Sequence, residues 1–121
     1  MTSNLIVRCA EILIALEFLH GGMTVMRHPE ERAARIARLG FPFPLLSVRV
    51  NALLMIGASL FLAFGIFARS AAIILIICLV PTTIFGHPFW LETDSQRNAQ
   101  LTHFLKNLSM LGGLLLMTQI A

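Results

Sequence analysis

The sequence predicts an all-α integral membrane protein, a four-helix antiparallel bundle with a short interfacial helix between its first and second spans. Two observations carry that expectation. The 121 residues are 57% hydrophobic and 12% charged, with a mean hydropathy of +0.82, whereas a soluble domain carries about a quarter charged residues. The length also leaves room for about four helices of roughly 20 residues, the number needed to cross a hydrocarbon core about 30 Å thick at 1.5 Å per residue. One membrane domain covering 1–121 is therefore expected. The charge of +3 is spread around the apolar spans with no basic run between aromatics. It reads as topology and headgroup contact, and nucleic acid is not an expected partner.

The first span covers about 4–26 and holds Arg8, Glu11, Glu17 and His20 among Leu, Ile, Ala and Phe. Glu11 and Glu17 interrupt the apolar run and no small-x-small cleavage site follows it, so a retained helix is expected rather than a signal peptide. Arg8 and Glu11 stand three apart, on one face near the helix start, and read as a structural pair. Glu17 and His20 share a face deeper in the membrane, with Gly21 and Gly22 beside them to permit close helix contact.

Residues 29–39 form the expected interfacial helix. Pro29 sits in the first turn, Glu30 and Glu31 lie early, Arg35 and Arg38 late, and Gly40 follows. This is the charge order the helix dipole favours, with a glycine stop. Ala33, Ile36, Ala37 and Leu39 give it a modest apolar side. Phe41, Pro42, Phe43 and Pro44 then return the chain to the bilayer.

The second span, about 45–64, carries Arg49 and Asn51 in its first two turns. The connection GIFARSAA is so short that the spans it joins must be antiparallel neighbours. The third span, about 71–85, is apolar until Pro81, where Thr82 and Thr83 are expected to satisfy the carbonyls that proline frees. GHPFW follows, with Phe89 and Trp90 suited to the interfacial belt. Cys9 and Cys78 lie far apart in apolar context and read as buried small side chains, with no pair for redox or metal work.

The fourth span, about 99–120, sets the main puzzle. Gln100, His103, Lys106, Asn107 and Met110 recur at three- and four-residue steps on one face. A lysine at the centre of a span costs about 2.5–3.5 kcal/mol, which calls for a partner inside the bundle. Lys106 lies roughly 12 Å into its helix and Glu17 roughly 13 Å from the same membrane side, at 1.5 Å per residue. A buried Glu17–Lys106 ion pair is therefore expected, with His20, Asn51, His87, His103 and Asn107 around it. Such a pair serves equally as a structural lock or as part of a ligand pocket.

LGFPFP, GIFARSAA, GHPFW and FLKNLSMLGG, in this order around four apolar spans, resemble the DoxX family of small bacterial membrane proteins. The resemblance implies a four-helix membrane bundle in the bacterial cytoplasmic (inner) membrane. Some relatives act as the membrane subunit of a quinone-dependent sulfur-oxidising enzyme, and others belong to redox-stress complexes. This chain departs from the family pattern at Met55, where relatives commonly carry glutamate, and at Val25, where they commonly carry lysine. Glu17 then reads as a carboxylate partner of Lys106 moved from the second helix to the first.

Three functions follow. The first is an accessory subunit docking a larger respiratory or redox membrane complex. The second is a quinone-linked oxidoreductase subunit, in which His20, His87 or His103 bonds a quinone carbonyl, Trp90 and Phe89 flank the ring, and Glu17 with Lys106 moves protons. The third is binding or transport of a small hydrophobic molecule. No metal is expected, since no helix carries metal-ligand spacing, and quinone is the one cofactor entertained. Nucleotide loops, nucleophile elbows and His-Glu-x-x-His are absent, so no independent catalytic motif stands out. Arg27, Arg32, Arg35, Arg38, Arg49 and Arg97 flank one membrane side, against Arg8 and Arg69 on the other. By the positive-inside rule this puts the first and third loops in the cytoplasm.

Overall fold

The computed structural model describes residues 5–86, 90 and 93–120 and is all-α over its five helices. These are α1 (Leu5–Arg27), α2 (Pro29–Ala37), α3 (Pro44–Phe64), α4 (Ala68–Gly86) and α5 (Asp94–Ile120). Helix α5 begins five residues earlier than the apolar pattern indicates, because Asp94 and its polar neighbours extend the helix N-terminally beyond the apolar stretch. Among the described residues, α3 and the stretch Ala68–Phe85 of α4 are long and apolar enough to cross a membrane. Helices α1 and α5 have the length, 23 and 27 residues, but carry more charged and polar groups.

Glycine stops fix the two sharpest turns. At the end of α3, Gly65 has φ 72°, and its N–H donates to the Leu62 carbonyl while the Ile66 N–H donates to the Phe61 carbonyl. At the end of α2, Gly40 has φ 82°, and the N–H groups of Gly40 and Phe41 bond the carbonyls of Ala37 and Ile36. Both are Schellman closures, which need a left-handed residue that glycine adopts without penalty. Helix α4 continues as a helix through Pro81. The hydroxyls of Thr82 and Thr83 donate to the carbonyls of Cys78 and Leu79 at 2.8 Å. They do not serve the carbonyl of Ile77, four residues before Pro81, because the four-residue back-bond of each threonine starts one or two positions later.

Packing divides the helices along their length. Leu62, Leu75 and Leu114 are fully buried, with Ala15, Phe18, Ala58, Ala71, Ala72, Cys78 and Met117 around them. The alanines let the helices approach closely, which is the main source of association where lipid is as apolar as the side chains. Helix α1 packs mainly on α3, α3 on α4, and α4 on α5, while the seam between α1 and α5 is thin. A second, smaller cluster of Ala33, Ile36 and Val48, with Val25, Phe41 and Phe85 against it, fastens α2 onto α3 and α4. Cys78 is buried as expected, but Cys9 is exposed on the outer side of α1.

At the end where α1 starts, two arginines tie helices together. Arg8 pairs with Glu11, and its guanidinium also donates to the Leu62 and Ala63 carbonyls of α3, the latter at 2.7 Å. Glu11 is 1% exposed. The Arg69 Nε donates to the Thr118 carbonyl of α5 at 2.7 Å.

Candidate functional site: a cavity with polar groups among apolar walls

The opposite half of the molecule is hollow. A cavity of about 800 Å³ lies between α1, α3, α4 and α5, with α2 across one side. Its apolar walls come from Phe18, Val25, Val48, Ala52, Met55, Leu79 and Met110. Local sequence opens this space. Gly22 brings α1 against α3 so closely that a Cβ there would lie 2.7 Å from Ile56 Cγ1 and 3.3 Å from the Ala52 carbonyl oxygen. Ala52 itself offers only a methyl group.

Polar groups from three helices also line the cavity, most of the residues singled out by sequence among them: Glu17 and His20 of α1, Asn51 of α3, and His103, Lys106 and Asn107 of α5. Lys106 Nζ lies 3.1 Å from Glu17 Oε1, bridging the thin seam between α5 and α1. The expectation that this pair is buried is corrected, since the side chains are 48% and 45% exposed. The pair bridges α1 and α5, whose seam is thin. Among the described residues the more buried ion pair is Arg8–Glu11, at the other end, with side chains 30% and 1% exposed. Asn107 is buried, whereas His20 and His103 are exposed toward the opening. Asn51 Nδ2 donates to Thr82 Oγ1 at 2.8 Å, linking α3 to α4, and that hydroxyl in turn donates a hydrogen bond to the Cys78 carbonyl within α4, a two-bond relay.

Trp90 does not line the cavity but packs edge-on against Phe104 of α5, with ring centroids 6.0 Å apart. His87 and Phe89 lie outside the described residues. Among the described residues, no group of three or more His, Cys, Asp and Glu gathers as a metal set would.

Sequence reasoning passed over four polar lining groups, Thr24, Arg32, Ser47 and Thr82. Arg32 reads as one more surface charge of the connector helix, yet it stands four residues before Ile36 and so on the same face as that buried side chain. Burial lowers the Arg32 guanidinium from its ordinary value, neighbouring Arg35 acts in the same sense, and Glu31 opposes them.

The family model DoxX matches residues 4–88, well over half of the chain. The chain is also 29% identical over 108 residues to "Inner membrane protein YphA" of Escherichia coli (strain K12), covering 89% of this chain and 77% of that relative. No solved structure matches the chain. Family and relative together locate it in the bacterial inner membrane. The chain belongs to the DoxX family of membrane proteins.

Proposed function

We propose that α1, α3, α4 and α5 span the inner membrane as an antiparallel four-helix bundle with α2 at the interface, and that the protein binds a small lipid-soluble molecule in its cavity. The topology rests on end-to-end ties. Arg8 joins the start of α1 to the end of α3, and Arg69 joins the start of α4 to the end of α5. The three-residue link between α3 and α4 supports an antiparallel arrangement of these two helices.

The observation that carries the binding reading is the cavity itself. Its 800 Å³ falls within the roughly 300–1,000 Å³ typical of small-molecule sites. Its walls are mostly apolar, with a few polar groups among them, the composition such sites share. A quinone is one molecule of suitable character, with carbonyl oxygens that Lys106, His20 or Asn107 can meet as donors. Docking to a larger membrane complex would use the outward apolar faces, which lipid covers equally well.

Purification of the full chain in mild detergent, followed by native mass spectrometry and organic extraction, tests these readings together. A small lipid-soluble adduct on the wild-type chain that disappears in Val25→Trp, which fills the cavity, supports the binding reading. Stable association with a larger membrane complex and an empty cavity would favour the accessory subunit instead. An extracted quinone would favour the redox subunit.

A further inference from the structure

Three formally charged side chains line the cavity: Glu17, Lys106 and Arg32. Two of them satisfy each other, since Lys106 Nζ is 3.1 Å from Glu17 Oε1. Arg32 is different. Among the described residues it makes neither an ion pair nor a side-chain hydrogen bond. Its backbone is part of α2, whose buried Pro29, Ala33 and Ile36 hold the helix down over the cavity, so the side chain is kept at the cavity margin rather than free to leave for water. Neighbouring Glu31 and Arg35 oppose each other electrostatically at the guanidinium.

A half-buried guanidinium with no hydrogen-bonded partner, whose neighbour Glu31 is opposed by Arg35, is a costly arrangement, and it is relieved by an anion that reaches it from the cavity side. The guanidinium presents parallel N–H donors that match a carboxylate or a similar oxyanion. Beyond it lie Val48, Met55 and Leu79, which offer nothing but apolar contact. A cationic ligand is disfavoured, because the one carboxylate of the site is already held by Lys106.

Resting on the ligand-binding reading above, we infer that the occupant is a single-chain lipophilic acid, its anionic group held by Arg32 at the margin of α2 and its apolar body between α1, α3 and α4. Arg32 is then the specificity-determining residue of the cavity, and Glu17–Lys106 closes the seam beside the ligand. A fatty acid is the simplest member of this chemical class.

The test uses the full chain in phosphatidylcholine nanodiscs with two photo-crosslinking probes of identical diazirine-bearing alkyl chain, one ending in a carboxylate and one in an alcohol. Labelled peptides are mapped by mass spectrometry. The expected result is labelling near Met55 and Leu79 at about tenfold lower concentration for the acid than for the alcohol, the size of one charge-assisted contact. Arg32→Gln should remove that preference while alcohol labelling persists, which also shows that the variant is folded. Arg32→Lys, which keeps the charge without the fork, should retain part of it.

Equal labelling by both probes in the wild type, or a preference that survives Arg32→Gln, overturns the inference while leaving a ligand cavity in place. If neither probe labels the cavity residues, the binding reading falls together with it. Phosphatidylglycerol in the nanodisc is the last arm. Displacement of the acid probe by this lipid would move the anion from a free acid to a lipid headgroup and overturn the single-chain assignment.

Discussion

Two ion pairs among the described residues, Arg8–Glu11 and Glu17–Lys106, sit at opposite ends of the helices and do opposite things. Arg8–Glu11 is inside a packed end, where Glu11 is 1% exposed and Arg8 reaches two carbonyls of α3. Glu17–Lys106 stands at the rim of a cavity with about half of each side chain open. The first pair is three residues apart on one helix, yet it binds two helices through the backbone of the second. The second pair joins two distant helices across a seam that little else holds. The difference teaches that in an apolar chain a charged pair is structural where backbone acceptors surround it, and available for ligands where they do not.

The largest effect that can break this comparison is loss of Glu11. Truncation removes the charged acceptor but leaves the half-buried Arg8 its α3 carbonyls, so the cost is that of one charge-assisted contact, about 1.5–3 kcal/mol. Glu11→Ala should therefore lower the stability of the detergent-solubilised protein by that amount in a reversible denaturation measurement. The double change Arg8→Met with Glu11→Leu should recover most of the loss, because no buried charge remains. A stable Glu11→Ala protein would mean that the clamp is not structural.

Gly65 belongs to the same end and ranks next. Its φ of 72° is one that side chains adopt with strain, and a Cβ there would lie 2.6 Å from Arg8 Nη1. Gly65→Ala should cost about 1–2 kcal/mol from the left-handed backbone alone, with more added as Arg8 is displaced from the α3 carbonyls. Thermal unfolding of the variant beside Arg8→Ala separates the contributions: a smaller effect of Gly65→Ala in the Arg8→Ala background indicates that both act through one contact.

How far the sequence disclosed all this follows from what each signal depends on. Helix positions were readable from Gly40, Gly65 and the apolar runs, because these are local. The meeting of Glu17 and Lys106 was readable from rise per residue, since depth along a helix is nearly a one-dimensional quantity. Burial was not, because it depends on how tightly α1 approaches α5. That approach is set by packing among Ala15, Ile14 and Gly113 rather than by the charges themselves. Arg32 escaped notice for a related reason: nothing in RHPEERAAR distinguishes a solvated arginine from one facing a cavity until α3 and α4 are in place beneath it.

On the open side the expected effects are small in stability and large in occupancy. Glu17→Gln removes an ion pair whose partners are half exposed, and polar contacts between membrane helices average about 0.6 kcal/mol. The variant should therefore stay within about 1 kcal/mol of wild type by the same denaturation measurement. Its Lys106 then becomes a second free cation of the cavity, so labelling by the acid probe should rise rather than fall. A Glu17→Gln protein as unstable as Glu11→Ala would erase the distinction between the two pairs. Moving the carboxylate to position 55, on the second span, refines the point. Met55 is buried, 7% exposed, and lines the same cavity as Lys106. Adding Met55→Glu to Glu17→Gln should return acid labelling toward the wild-type level if position 55 can neutralise Lys106, and labelling that stays high would show that Glu17 alone governs this lysine.

The Asn51–Thr82 relay gives the smallest effect and the finest test of the cavity's construction. Its hydrogen bond of 2.8 Å joins α3 and α4 within the cavity lining, at a level where both helices also bury side chains. Asn51→Leu removes the donor but leaves Thr82 bonded to the Cys78 carbonyl, so no buried hydroxyl is stranded. The cost should be about 0.6 kcal/mol, near the average for a polar contact between membrane helices. Leucine also turns part of the polar lining apolar without touching Arg32, Glu17 or Lys106. If the anionic end of the ligand sits at Arg32, acid and alcohol probes should respond to Asn51→Leu alike. A change confined to the acid would place its carboxylate against Asn51, deeper in the cavity than the α2 margin allows.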